Sequence, residues 1–151
     1  MKTIFTLACM LLMGLTTSTA FAQATDASKK NLFAAFPSKI DVTNNTLQNL
    51  FTAMPGEKIS IAFDSQFTFT GMVISNEMKY QNLQCVLIRS AQFDNALLQV
   101  SKITNNDQSI SFVGRIIHQN ALDGYEIKKD LANNYRLQKF ETKNILQDCS
   151  Y

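Results

Sequence analysis

His118 is the only histidine in the chain, so any mechanism that needs an imidazole base must use it. Ser109 or Ser111 would then supply the nucleophile and Asp123 the orienting carboxylate. The local sequence argues against that arrangement. No glycine sits beside any serine, so the sharp Gly-x-Ser-x-Gly turn is missing, and His118 runs into Gln119-Asn120, a polar loop signature. Paired carboxylates for glycoside hydrolysis need two acids held across a cleft. Here most acids fall at turn signals, namely Asp64, Asp94, Asp107, Asp123 and Asp130, where aspartate serves the backbone. Asn105-Asn106-Asp107 offers a single acid, far short of a calcium loop. Asn44-Asn45-Thr46 fits the N-glycosylation pattern, but helix capping is the better use of those side chains. Phosphate-cradling glycine clusters and Cys-x-x-Cys are absent. The residues therefore predict no catalytic centre, no cofactor and no metal.

The cysteines depend on where the chain works. Lys2, the apolar run from Ile4 to Leu15 and the small-residue site Ala20-Phe21-Ala22 have the form of a secretory signal, predicted to end near Ala22. Leu7-Ala8-Cys9 loosely imitates a lipoprotein box, yet too few residues separate it from Lys2 and the apolar run continues past it. The mature protein is thus expected in the periplasm or outside the cell, with no membrane span. There Cys85 and Cys149 form an even pair in an oxidising medium, which predicts a disulfide. In the chain-entropy picture such a bridge stabilises by roughly 4 kcal/mol. Neither cysteine has a neighbouring His or Cys at zinc-ligand spacing.

Charge excludes some partners. The formal net charge is +2 and falls by one when Lys2 leaves, and the basic residues are scattered. That gives no electrostatic footprint for nucleic acid. Trp is absent and Phe abundant. The Phe residues alternate with Ser, Thr and Gln, as in Phe67-Thr68-Phe69-Thr70, which is the pattern of a half-buried strand rather than a base-stacking platform.

Residues 23–36 read as a flexible leader, although Asn31 to Phe36, apolar and stopped by Pro37, could form one turn or a strap across the core. Residues 37–151 read as one β-rich domain. A short helix is predicted over Thr46 to Met54, capped by Thr43, Asn44 or Asn45, with Leu47, Leu50, Phe51 and Met54 as its apolar stripe and Pro55-Gly56 as its stop. Beyond Gly56 the period becomes two. Ile59-Ile61-Phe63 and Phe67-Phe69 alternate, then Met72 and Ile74 continue with shifted parity, which predicts a bulge at Gly71. Leu83 to Ile88 is a central strand. Leu98–Ile103 and Ile110–Ile117 form a hairpin around Asn105-Asn106-Asp107; Tyr125–Ile127 and Tyr135–Phe140 form another around Ala132-Asn133-Asn134. Lys128, Lys129 and Lys139 would charge the flanks of that hairpin against edge pairing. The expected fold is mainly β: an antiparallel sandwich or small barrel of about seven strands with one short N-terminal helix.

The Ala20-Phe21-Ala22-Gln23 signal end, the Gly114-Arg115-Ile116-Ile117 strand and the hairpin Asp123-Gly124-Tyr125-Glu126-Ile127-Lys128-Lys129 with Asn134-Tyr135 carry a resemblance. Over about its last two-thirds the chain resembles short exported β-rich proteins of unassigned function from Bacteroidota. The resemblance implies export and an antiparallel fold, and no activity. The expected role is a non-enzymatic binding or envelope structural domain, with an unidentified protein or envelope component as partner. Its contact loops would be Asn105, Asn106 and Asp107 together with Asn133 and Asn134. A carrier of a small apolar ligand is the alternative, with Phe63, Phe67, Phe69 and Phe112 facing an unfilled lumen. A small secreted hydrolase comes third.

Overall fold

The protein is described by a computed structural model over residues 29–142. The signal segment, residues 23–28 and Cys149 lie outside that range. The chain runs β1 (Lys39–Val42), α1 (Asn44–Asn49), a 3-10 turn (Leu50–Thr52), β2 (Lys58–Ala62), β3 (Thr68–Tyr80) and β4 (Leu83–Ser90). It continues through β5 (Ala96–Thr104), β6 (Ile110–Ile117), β7 (Asp123–Lys129) and β8 (Tyr135–Glu141). All pairings are antiparallel, in one sheet of order β1-β8-β7-β6-β5-β4-β3-β2. The sheet curls into a half-barrel, so the mainly β expectation holds while the choice between sandwich and closed barrel resolves to an open curl. The eighth strand is β1, which sequence reading passed over because Lys39-Ile40-Asp41-Val42 is only four residues long.

Period-two burial explains the curl. Val86 and Ile88 of β4, Leu98 and Val100 of β5, Phe112 and Ile116 of β6, Tyr125 and Ile127 of β7, and Tyr135 and Leu137 of β8 all turn to one buried face. That face encloses a ring cluster. Phe67 lies within 5.0–6.2 Å, centroid to centroid, of Phe36, Tyr125, Phe93, Phe63 and Phe33. Two of these five contacts are edge-to-face, an arrangement that the ring quadrupole favours.

The helix starts where capping chemistry put it. Thr43 Oγ1 accepts the Thr46 N–H at 3.1 Å. It ends sooner than its apolar stripe implied: Leu47, Leu50 and Phe51 are buried, but Met54 is 73% exposed. Six residues are too few to stand alone, so the stripe depends on the sheet. Phe51 stacks on Phe112 at 5.9 Å. The Asn76 amide donates to the carbonyls of Phe51 and Ala53, pinning the end of the 3-10 turn to β3.

Residues 29–36 depart from the flexible-leader expectation, and the strap alternative is realised there. Lys30 bridges to Ala121 and Phe33 is fully buried. Both oxygens of the Asp123 carboxylate accept the Phe33 N–H, and one also accepts Leu32 N–H at 2.7 Å. Lys139 Nζ donates to the carbonyls of Phe33 and Phe36, and the Tyr125 hydroxyl donates to Pro37. Lys139 is therefore not an edge charge. It sits on the inward side of β8 and holds the strap, while β1 covers the flank of β8.

A second correction concerns parity in β3. The register shifts between Val73 and Ser75, not at Gly71. Phe69, Gly71 and Val73 all stay on the buried side, and Met72 and Ile74, expected inside, are 51% and 40% exposed. The true edges of the sheet are β1 and β2. A recess of about 330 Å³ runs between α1, the 3-10 turn and β2, where Thr46, Asn49, Ser60 and Ala62 meet.

Burial gives Tyr125 an alkaline signature. Its hydroxyl is pushed up to about 12, first by burial and then by the charges of Asp123 and Asp64. A folded value above the unfolded value of about 10 means that this stabilisation is intact below that pH and drains away as pH rises toward the folded value. Denaturant unfolding followed across that alkaline window should show stability falling in the native sequence, and falling less in Tyr125→Phe. Equal slopes in the two proteins would contradict the assignment.

Candidate functional site

The hairpin tips at 105–109 and 130–134 lie at one end of the sheet. The loops at 91–95 and 118–122 lie at the other, with the strap. This separation decides the fate of the candidate triad. Ser109 and Ser111 stand at the tip end of β6 and His118 at its opposite end, about 25 Å away at roughly 3.3 Å per residue. Ser109 Oγ donates to Asp107, and Ser111 Oγ accepts from the Asn105 amide. Only His118 and Asp123 come together, and the Asp123 carboxylate is occupied by the strap amides.

The proposed contact loops are neighbours, as both tips project from the same end. Much of their polarity is used internally. Asp107 accepts the Ser109 N–H and hydroxyl, which hold its carboxyl below the usual range. Asp130 accepts the Asn134 N–H, with Arg136 and the Ala132 N–H adding to it, and is lowered likewise. Asn133 takes a positive φ of 65°, the left-handed conformation that asparagine tolerates. Asn106, Asn133 and Asn134 remain exposed. Cys85 lies on the outer side of β4, partly exposed, with its sulfur 3.3 Å from Ser101 Oγ. It is a free thiol among the described residues; its expected partner Cys149 lies outside them.

A larger recess than the one beside β2 lies elsewhere, on the outer face at the strap end. It is a cleft of about 740 Å³. Cross-strand register builds it: Arg89 of β4 is opposite Leu97 of β5, which is opposite Ile117 of β6. On the far side Phe140 of β8 faces Gly124 of β7. A Cβ on Gly124 would lie 2.7 Å from the Phe140 ring, so glycine lets that ring drop onto the sheet. Arg115 stands one outward position along β6 from Ile117, and His118, Asn120, Asp94 and Thr142 form the rim.

The charges of the cleft are unequally matched. Asp94 pairs with Lys30 at 3.2 Å and Arg115 with Glu126 at 3.1 Å. Arg89 has no acidic partner among the described residues. His118 Nδ1 accepts the Asn120 N–H at 3.2 Å, so the neutral ring carries its proton on Nε2. Arg89, Leu97, Arg115, Ile117 and Phe140 escaped sequence reading as a site. The available signal was an arginine in mid-strand on the outward parity, at Ile88-Arg89 and Gly114-Arg115. Only the register shows that the two flank the same apolar pair. Among the described residues, no three His, Cys, Asp or Glu side chains gather as a metal site would require.

Geometry thus defines an antiparallel half-barrel with a ring-filled interior and an outward cleft. Comparison with protein-family models, curated proteins and solved structures returns no match.

Proposed function

We propose that this chain is an exported, non-enzymatic β-domain that recognises another molecule through its outer surface. One observation carries the reading: the interior is occupied by its own rings while a cleft of about 740 Å³ opens outward beside Arg89, which has no acidic partner among the described residues. Export rests on the form of residues 1–22. The lumen-carrier alternative loses its room, because Phe63, Phe67, Phe69 and Phe112 are at most 5% exposed and stack on neighbouring rings. The hydrolase alternative lacks a joined nucleophile and base.

Native mass spectrometry of the chain isolated from its host tests this function. A bound protein or small molecule that Ile117→Asp displaces supports it. A bound apolar molecule that survives Ile117→Asp and leaves only on unfolding would favour the carrier and overturn the reading. The Cys85–Cys149 bridge belongs to the same proposal. A digest made without reduction should yield the two cysteine peptides linked; free alkylation of both thiols would remove the bridge.

A further inference from the structure

The cleft at the strap end has the composition of a site for a particular chemical class. We propose that it binds a small amphiphilic carboxylate, with Arg89 and Arg115 holding the anionic head and Leu97, Ile117 and Phe140 carrying the apolar body. The inference deepens the binding-domain reading and rests on it.

Charge comes first. A carboxylate has two acceptor oxygens, and guanidinium groups present matched donor pairs. Arg89 lacks an acidic partner among the described residues, and Arg115, half exposed, pairs with Glu126 in contact with solvent, where such pairs hold weakly. Of the two acids of the cleft, Asp94 has Lys30 at 3.2 Å beside it, and the strap amides engage Asp123. His118, whose Nδ1 accepts the Asn120 N–H, keeps its Nε2 side for a further donor at the rim.

Shape and apolarity then narrow the class. Leu97 and Ile117 lie side by side, with Arg89 of β4 beside Leu97 and Arg115 one outward position along β6 from Ile117, and Ile117 is 43% exposed. Adjacent strands lie about 4.8 Å apart and outward positions about 6.6 Å apart along a strand, so the two arginines stand roughly 12 Å apart on the sheet, and their long side chains can lean over one apolar floor. A simple inorganic anion would leave that floor wet. The volume of about 740 Å³ falls in the range typical of small-molecule sites. A bilayer is the weaker fit, because the feature is concave and the chain has no basic cluster.

Calorimetric titration of the full chain, in the form its expressing cell leaves it, tests the proposal with octanoate, octanamide and acetate. Octanoate should bind at least tenfold tighter than octanamide, which lacks the charge, and than acetate, which lacks the body. Arg89→Gln should weaken octanoate tenfold or more, and Leu97→Glu should abolish binding. Both positions face outward, and circular dichroism melts matching the native chain would show that each variant folds. Equal affinity for octanoate and octanamide, or unchanged octanoate affinity in Arg89→Gln, overturns the proposal. So does Arg89-dependent sedimentation with phosphatidylglycerol-containing vesicles in the absence of octanoate binding, which would assign the cleft to a membrane surface. If octanoate fails while a molecule recovered from the host is displaced by Ile117→Asp, the binding-domain reading stands and this ligand class falls.

Discussion

Replacing Phe67 by Ala should lower the folding free energy by about 3–5 kcal/mol, the usual range for truncating a fully buried phenylalanine. The ring is fully buried and touches Phe33, Phe36, Phe63, Phe93 and Tyr125, so its loss opens a void that rings from four chain segments cannot jointly collapse into. Small domains typically have about 5–15 kcal/mol in total, so the variant should sit close to unfolding. Urea denaturation should show a much lower midpoint with the slope preserved. Phe67→Leu, which keeps most of the volume, should retain more of the stability. A loss below about 1 kcal/mol for the alanine variant would mean that the cluster is not the core.

Asp123→Ala should be the most damaging polar change, at about 3 kcal/mol. Its carboxylate accepts the amides of Leu32 and Phe33, and hydrogen bonds to a charged acceptor are worth roughly 1.5–3 kcal/mol each in buried settings. The variant leaves the Phe33 amide buried with no acceptor, so the strap should lift rather than remain unsatisfied. Hydrogen exchange reads this directly: the amides of Leu32 and Phe33 should lose protection while the β4–β5 ladder keeps its own. Asp123→Asn retains one oxygen and should fall between the two. Unchanged protection at Leu32 and Phe33 would refute the strap assignment.

Much of the sheet could be read in the residues because a two-residue period is a local signal. Strands such as β2 and the start of β3 show themselves by alternation, β4 by its continuous apolar run, and the Asn105 and Asn134 turns by residues that accept turn geometry. The failures have physical causes. β1 is too short to show a period, and its stability comes from β8, far away in sequence. The break in β3 was displaced from Gly71 to Ile74 because glycine is a frequent but not obligatory bulge residue, and Val73 could keep its buried place only if the extra residue followed it. Lys139 was read as an edge charge because nothing local says that a lysine will find the carbonyls of Phe33 and Phe36. The cleft was invisible for the same reason: Arg89 and Arg115 belong to different strands, and their meeting is a property of register. The sequence argues against a triad of His118 and Asp123 with Ser109 or Ser111, and the fold places His118 and Asp123 on one cleft with both serines at the opposite end of the sheet.

The pairing of β1 with β8 has a consequence for how the molecule comes into being. Lys39 finds Gln138, and Phe33 finds Asp123, only after nearly the whole polypeptide is present. A chain emerging from the ribosome carries its first strand as a loose end until the last one arrives. Non-local closure of this kind is slow. It delays the native state while the hairpins from β2 onward can already form.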